Sequence, residues 1–164
     1  MEVGELQGKT VMMAVSGGLD SCTISHWLQA QQVQVIAYTG DIGQPDEERI
    51  EDVRDRMLAC GVDEMILDDL KDNLCRAGMQ LIQAQARYEG GYWNTTGMAR
   101  HIVVAAMVPQ MQSRQIQILG HGATGRGNDQ VRFQLPPQML SPISRSTRPG
   151  VTRHFWPALA AVRK

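Results

Sequence analysis

The chain has 164 residues, of which 43% are hydrophobic and 20% charged, and its formal net charge is −1. That length suits one domain with its own hydrophobic core, and the composition excludes a disordered or collagen-like chain. No apolar run approaches the roughly 20 residues that span a bilayer, and the acidic N-terminus does not resemble a signal peptide, so we expect a cytoplasmic protein with no membrane partner.

Alternating segments predict four strands and four helices. The strands are expected at about residues 10–15, 33–39, 65–67 and 115–119. The helices are expected at about residues 20–32, 45–60, 70–87 and 98–112. Pro45 with the acids after it is typical of a helix start, Gly61 of a helix end, and Pro109 should kink or end the last helix. In the third helix we expect Leu70, Leu74, Leu81 and Ile82 to face inward.

Strands that alternate with helices predict an α/β fold, an open parallel sheet with flanking helices and a strand order of about 3-2-1-4, with room for a fifth strand. We expect this domain to occupy residues 1–135. Residues 136–157 show neither helical nor strand periodicity, and residues 130–164 carry six basic residues and no acid. We therefore expect a basic, irregular tail over residues 136–164.

Three cysteines, Cys22, Cys60 and Cys75, are widely spaced, and none forms a CxxC motif. No histidine pair lies at metal-ligand spacing. We therefore expect reduced, mostly buried thiols and no structural zinc site, and we assign no residue to a metal. Residues 1–129 carry no excess of basic residues, which does not favour nucleic acid as a partner.

The loop SGGLDS, residues 16–21, lies where the first strand should turn into the first helix. Adjacent glycines let the backbone approach a ligand, and the following helix N-terminus offers unpaired N–H groups and a partial positive charge. With the flanking hydroxyls of Ser16 and Ser21, these features predict a phosphate cradle. The alternative is an ordinary connection with a Gly-Gly turn, in which Asp20 only caps its helix.

A second glycine-rich segment, residues 120–129, follows the fourth predicted strand. With the strand order above, both segments leave neighbouring strands at the point where the order reverses, which is where such sheets bind ligands. The polar, aromatic segment 88–97 is also more typical of ligand contact than of a plain connector.

The SGGLDS loop resembles the signature of the ATP-pyrophosphatase (PP-loop) superfamily, which splits ATP between its α- and β-phosphates. The segments HGATGRGNDQVRF (residues 121–133), IGQPDEE (42–48) and YWNTT (92–96) resemble the argininosuccinate synthase family. The matching segments keep their order from about residue 10 to about residue 135. This resemblance implies an adenine nucleotide alpha hydrolase-like, Rossmann-like domain.

The resemblance also implies an activity, the ATP-dependent ligation of citrulline and aspartate through citrullyl-AMP, with pyrophosphate release, in arginine biosynthesis. ATP with Mg²⁺ would be bound by Ala14, Val15, Ser16, Gly17, Gly18, Leu19, Asp20, Ser21, Cys22, Gly40, Gly120, His121, Gly122, Thr124, Gly125, Arg126, Gly127 and Asn128. Tyr92 and Arg132 would contact citrulline. Aspartate would be bound by Thr124, Asn128 and Asp129, and Asn128 would serve both substrates. Asp20 and Asp129 are the candidate catalytic residues.

Simpler interpretations exist for several of these residues. Asp129 and Arg132 lie three apart and would also make a surface ion pair. His121 between two glycines would also serve a structural role, and Trp93 would also serve in packing rather than stacking on adenine. For Arg126 we expect a phosphate contact.

We expect the resemblance to stop soon after Phe133, without the family's second domain, which implies an incomplete synthase, a homo-oligomer, or a missing synthetase domain supplied elsewhere. We interpret the tail as a degenerate or out-of-frame remnant of a truncated synthase; the alternative is a basic arm that binds a partner or nucleic acid. Two other functions remain open, a stand-alone PP-loop ATP pyrophosphatase that adenylates another substrate, and a non-catalytic nucleotide-binding module.

Overall fold

The structure is a computed structural model that describes residues 3–45, 47–123, 128–140 and 145–147. Its strands are β1 (Thr10–Ala14), β2 (Gln34–Asp41), β3 (Glu64–Asp69), β4 (Arg87–Tyr88), β5 (Tyr92–Trp93), β6 (Ile118–His121) and β7 (Arg145–Thr147). Its α-helices are α1 (Leu19–Ala30), α2 (Glu51–Ala59), α3 (Lys71–Gln83), α4 (Thr95–Ser113) and α5 (Asp129–Leu140). A short 3-10 helix, Val3–Leu6, precedes β1.

The main sheet has five parallel strands in the order β3-β2-β1-β6-β7. The fourth predicted strand is β6, so the predicted α/β fold and its 3-2-1-4 order are confirmed. The central strand β1 pairs with β2 on one side and with β6 on the other, and Ala14 lies opposite His121 at the last position of the second pairing. The segments that follow β1 and β6 therefore start side by side at the carboxyl edge.

The hydrophobic core is split between the two faces of this sheet. Because side chains alternate along a strand, Val11 and Met13 of β1 pack on one face and Met12 on the other. The first face is covered by buried residues of α1 and α2, and the second by buried residues of α4. Each face buries enough apolar surface to fix the helices against the strands, and this positions the loops at the carboxyl edge.

Helix α2 begins at Glu51 and not at Pro45, so the predicted start was wrong. Local hydrogen bonds hold the segment before it in a different conformation. The Asp41 carboxylate accepts from the Gly43 N–H at 2.9 Å, and the Gln44 side-chain oxygen accepts from the Ile42 N–H at 3.0 Å. Such side-chain bonds to the backbone compete with helix formation.

Helix α4 continues through Pro109 to Ser113, so the expectation that this proline ends the helix was wrong. The proline removes one backbone donor. Met107, Val108 and Met111, on either side of it, are 0–3% exposed. Their burial stabilises the helical conformation more than the lost hydrogen bond destabilises it.

Regular structure continues beyond residue 135. Helix α5 runs to Leu140 through Pro136 and Pro137, and β7 joins the sheet edge, so the expected irregularity was wrong for residues 136–140 and 145–147. Pro137 is buried, which explains why the helix tolerates it. The division between residues 1–135 and a separate tail stays a prediction.

Two expected burials were also wrong. Ile82 on α3 is 49% exposed, and Cys75 on the same helix is exposed, whereas Leu74 is half-buried. Helix α3 packs mainly against α4, and part of its apolar side therefore stays exposed. In the described residues, no helix is both long and apolar enough to cross a membrane.

Candidate functional site

Residues 16–21, named the cradle, lie between β1 and α1 as predicted, and the last three of them form the first turn of α1. The Ser16 backbone N–H donates to the Ser21 hydroxyl at 3.2 Å, and the two hydroxyl oxygens lie 3.5 Å apart. Gly17 has a φ of +73°, in the left-handed region that favours glycine. The loop therefore closes on itself through its two serines, and glycine supplies the turn.

The N-cap position of α1 supplies no side chain. Its N-cap residue is Gly18, which has extended backbone angles and no side chain to accept from the first-turn N–H groups. A Cβ built on Gly18 would find only the Ser16 hydroxyl, at 3.7 Å. Ser16, Gly18, Leu19 and Asp20 are all exposed. Asp20 lies in the first turn, two residues after the N-cap Gly18, and the interpretation that it caps the helix stays a prediction.

Helix α2 lies directly behind the cradle. A Cβ on Gly17 would lie 2.7 Å from Val53 Cγ1 and 3.1 Å from Arg56 Nη2. The Arg56 guanidinium also forms an ion pair with Glu47. The position of α2 thus demands a glycine at residue 17 and brings a positive charge to the loop. Sequence reasoning missed Arg56, because its position depends on how two helices pack.

Cys22, the residue directly after the cradle, packs against helix α2. Its sulfur lies 3.8 Å from the Met57 sulfur. Burial raises the pKa of the Cys22 thiol to about 11, with further contributions from the hydrogen bond and negative charge of Cys60, and the charge of Arg56 opposes them. Cys22 is therefore protonated at neutral pH and packs against α2.

The carboxyl end of β2 adjoins the cradle. The Thr39 hydroxyl donates to the Val15 carbonyl at 2.7 Å, and the Val15 N–H donates to the Tyr38 carbonyl at 3.0 Å. Gly40 is buried, and a Cβ there would lie 2.6 Å from Leu70 Cδ1. The packing of α3's N-terminal end explains why residue 40 is glycine, and its predicted adenosine contact stays a prediction.

Two polar pairs fix the outer part of this edge. The buried Tyr38 hydroxyl donates to Asp68 at 2.8 Å, and burial, followed by this hydrogen bond, raises the pKa of Tyr38 far above its usual range. Lys71 pairs with Asp41 and with Asp69. Its hydrogen bond is the first cause that lowers the pKa of Asp41. Both pairs tie β2 to β3 and α3.

The end of β6 lies beside β1. Gly120 belongs to the strand and not to the loop, and a Cβ there would lie 2.7 Å from Met13 Sδ. His121 is 1% exposed, and its ring stacks on Phe133 of α5, with centroids 5.3 Å apart. This packing supports the structural interpretation of His121. Gly122 is exposed, and Thr124, Gly125, Arg126 and Gly127 lie outside the described residues.

A second group of predicted site residues meets where α4 and α5 begin. Arg132 Nη1 lies 2.9 Å from Asp129 Oδ1, and Arg100 Nε lies 3.5 Å from Asp129 Oδ2. Asn128 is exposed, and its backbone carbonyl accepts from the Arg132 backbone N–H at 3.1 Å. The predicted ion pair between Asp129 and Arg132 is therefore present, with a second arginine that sequence reasoning missed. The only sequence signal for Arg100 is its place on the helix that follows the aromatic segment.

Tyr92 lies next to this group. Its hydroxyl is 2.6 Å from the Thr96 hydroxyl, and this hydrogen bond is the first cause that lowers the pKa of Tyr92, with a smaller contribution from the charge of Arg132. A Cβ on Gly97 would lie 3.0 Å from Arg132 Nη2. Glycine at residue 97 therefore lets the Arg132 guanidinium lie against the start of α4.

Trp93 lies in the hairpin of β4 and β5. The Arg87 guanidinium lies 4.3 Å from the centroid of its ring, which is a cation–π contact. Trp93 therefore packs against Arg87, and the choice between a packing role and stacking on adenine stays a prediction.

A cavity of about 480 Å³ lies between α3 and α4, beside the Arg132 group. Its lining is mostly apolar, from Ala77, Leu81, Gly97, Met98, Ile102 and Ala105, with Asn94, His101 and Arg132 as polar members. A different cavity of about 450 Å³ lies at the amino edge of the sheet, lined in part by Lys9, Gln34 and Arg114. Within residues 3–45, 47–123, 128–140 and 145–147, no three His, Cys, Asp or Glu residues are placed to hold a metal ion.

Residues 10–146 match the family model of the arginosuccinate synthase N-terminal HUP domain. The match extends past residue 135, so the expected end of the resemblance was wrong. The argininosuccinate synthase of Maricaulis maris is 38% identical over 143 residues, which are 86% of this chain and 34% of that protein. The enzyme of Campylobacter lari is 40% identical over 138 residues, 82% of this chain and 34% of its own. The chain thus spans about a third of the length of these curated relatives.

Two solved structures share the fold. NAD⁺ synthetase from Burkholderia pseudomallei has a TM-score of 0.57 and 17% identity, covering 94% of this chain and 65% of its own. Glutamine-dependent NAD⁺ synthetase from Acinetobacter baumannii, in complex with ADP, has a TM-score of 0.57 and 13% identity. That match covers 94% of this chain and 29% of the synthetase chain. At these identities the similarity establishes the α/β fold alone.

Proposed function

Because this chain belongs to the argininosuccinate synthase family, we propose that it binds ATP at the cradle and activates citrulline for ligation to aspartate. The observation that carries the proposal is the start of α1, where the N-cap residue is Gly18 and its face is open. Unpaired N–H groups at a helix start favour phosphate, and a backbone without a Cβ allows phosphate to approach closely. In this proposal the hydroxyls of Ser16 and Ser21 donate to the same phosphate oxygens.

We propose that ATP arrives with Mg²⁺. Magnesium typically binds one or two carboxylates together with substrate phosphates and water, so a dedicated cage of protein ligands is not required. Asp20 is an exposed carboxylate in the first turn of α1 and fits this role. When bound, the ion would neutralise phosphate charge, which would also relieve the repulsion between Asp20 and the nucleotide.

The proposed first step joins the ureido oxygen of citrulline to the α-phosphorus of ATP, giving citrullyl-AMP and pyrophosphate. In the second step the aspartate amine displaces AMP. Because negative charge develops on phosphate oxygens, fixed backbone donors provide most of the stabilisation, and a protein nucleophile is not needed. The protonated state of Cys22 is consistent with this chemistry.

The Arg132 group supports amino-acid binding. Arg132 and Arg100 together offer donors for a carboxylate, and Asp129 offers an acceptor for an ammonium. In the unliganded chain these charges pair with one another. We propose that citrulline contacts Tyr92 and Arg132, and that aspartate contacts Asn128 and Asp129. Each substrate charge would then replace a protein side chain of the same sign, a carboxylate taking the place of Asp129 and an ammonium that of an arginine.

We propose that this chain functions with more polypeptide than the described domain, since it spans about a third of its relatives' length. Helix α5 carries Val131, Leu135 and Met139, which are 44%, 51% and 82% exposed. These residues recur every four positions and so form an apolar stripe. Such a stripe supports contact with a second copy of the chain or with a separately supplied synthetase domain. We also propose that the protein is a cytoplasmic enzyme of arginine biosynthesis.

Isotope exchange between labelled pyrophosphate and ATP, with and without citrulline, tests the proposed function. We expect exchange that depends on citrulline, because reversal of the first step returns label to ATP. Exchange without citrulline would indicate a stand-alone ATP pyrophosphatase with another substrate. ATP binding without exchange would indicate a nucleotide-binding module, and absence of ATP binding would overturn the proposal.

A further inference from the structure

Arg56 on α2 lies against the cradle although it comes from a different part of the chain. Its Nη2 atom lies 3.1 Å from the point where a Gly17 Cβ would be. No side chain at residue 17 separates the guanidinium from the loop backbone. The Arg56 side chain is 45% exposed, so solvent and ligands can reach it.

Packing fixes this position. Val53 and Met57 of α2 are 0% exposed and hold the helix against the sheet. Arg56 lies three residues after Val53, which places the two side chains on neighbouring positions of one helix face. That face also contacts Gly17 and Cys22. The charge of Arg56 lowers the pKa of Cys22 against the effect of burial, so its field reaches the first turns of α1.

Glu47 is the present partner of Arg56. The two side chains form an ion pair in which Glu47 is only 17% exposed. Glu47 belongs to the segment between β2 and α2, so the pair also fixes this segment beside the cradle. A carboxylate carries one negative charge, whereas a polyphosphate carries several and matches the planar fork of a guanidinium.

We propose that Arg56 binds the polyphosphate end of the nucleotide held in the cradle, and that Glu47 holds the guanidinium when no nucleotide is present. The inference rests on the proposed function, because it requires a nucleotide at the cradle. It adds a residue from α2 to a site whose other expected residues follow β1, β2 and β6. It also predicts selectivity for ATP and pyrophosphate over AMP, which lacks the phosphates that Arg56 would contact.

Calorimetric titration of the full chain with ATP–Mg²⁺, pyrophosphate–Mg²⁺ and AMP tests the inference. Loss of a charge-assisted hydrogen-bonded pair predicts that Arg56→Gln weakens binding of ATP and pyrophosphate about 10- to 100-fold and leaves AMP within about twofold. The matched control is Arg54→Gln, which removes the same charge from an exposed position of the same helix. It should leave all three affinities within about twofold.

Two further variants separate contact from folding. Glu47→Gln should strengthen ATP binding about two- to fivefold, because it removes the competing carboxylate. Arg56→Lys keeps the charge without the fork and should fall between the unaltered protein and Arg56→Gln. If Arg56→Gln fails to fold, these two variants decide the question by themselves, since both keep a cation at residue 56.

Equal loss of ATP and AMP affinity in Arg56→Gln, or weaker ATP binding in Glu47→Gln, would overturn the inference in favour of a structural role. Unchanged ATP binding in Arg56→Gln would overturn it while leaving the proposed function intact. Absence of ATP binding by the unaltered protein would overturn both.

Discussion

We expect the two adjacent glycines of the cradle, Gly17 and Gly18, to differ in how strongly their substitution destabilises the fold. Gly17 has a φ of +73°, and a Cβ there would lie 2.7 Å from Val53 Cγ1, in the buried core. Gly18 has a φ of −77° and a ψ of 172°, angles that any residue adopts, and the space beyond it is open. We predict that Gly17→Ala destabilises the fold, whereas Gly18→Ala leaves the fold nearly unchanged.

The size of the difference follows from these contacts. A left-handed backbone disfavours alanine by about 1–2 kcal/mol, and overpacking against a fixed core side chain typically adds about 1–3 kcal/mol. Gly17→Ala should therefore lower the free energy of unfolding by about 2–5 kcal/mol. For Gly18→Ala only the poorer N-cap counts, at no more than about 1 kcal/mol.

Urea denaturation followed by circular dichroism measures both free energies. Titration with ATP then separates stability from binding, because Gly18→Val should remain folded but lose ATP affinity when its side chain covers the phosphate-facing backbone. Equal stability of Gly17→Ala and the unaltered protein would refute the described contact with α2. Tight ATP binding by a folded Gly18→Val would refute the cradle.

Three other predictions follow from ionisable groups. Iodoacetamide at pH 8 should alkylate exposed Cys75 well before Cys22, whose pKa is raised to about 11, and equal rates would contradict the burial of Cys22. The ion pair with Lys71 lowers the pKa of Asp41, so it stabilises the fold fully above the ordinary aspartate pKa of about 4, and this stabilisation is lost as the pH falls through the lowered value. Lys71→Met should therefore show a shallower fall in Tm between pH 6 and pH 3 than the unaltered protein. An equally steep fall would contradict this pairing. Tyr38→Phe removes the hydroxyl that donates to the Asp68 carboxylate at 2.8 Å, and it should lower the free energy of unfolding by about 1.5–3 kcal/mol. Urea denaturation measures this value, and an unchanged value would contradict the hydrogen bond.

The sheet and the position of the cradle could be predicted because their signals are local. Runs such as 10–15 and 33–39 combine apolar and β-branched residues, and the glycine pair marks the turn between β1 and α1. The right-handed crossover rule then leaves few strand orders. The confirmed order brings the ends of β1 and β6 together, as the sequence predicts.

The helix boundaries were predicted less well because tertiary contacts set them. The segment before α2 follows its own hydrogen bonds and the contact of Glu47 with Arg56. Pro137 lies inside a helix because it is itself buried, and Pro109, which is exposed, lies inside a helix because its neighbours Met107, Val108 and Met111 are buried. Burial of this kind depends on partners distant in sequence, and periodicity within a short window does not report it.

Arg56 and Arg100 were missed for the same reason. Arg100 contacts Asp129 across 29 positions of sequence, and Arg56 reaches Gly17 only because α2 packs behind the cradle. Each is one arginine among many on a helix surface, and most such residues are solvated. Only the relative placement of the helices identifies them.

Hydrogen–deuterium exchange of the full chain, with and without ATP–Mg²⁺, tests the central claim most directly. We expect slower exchange at residues 16–22 and 120–123, at the carboxyl edge, and unchanged exchange around Lys9 and Arg114 at the amino-edge cavity. Protection confined to the amino edge, or none anywhere under conditions where ATP is bound, would contradict an ATP site built on the cradle.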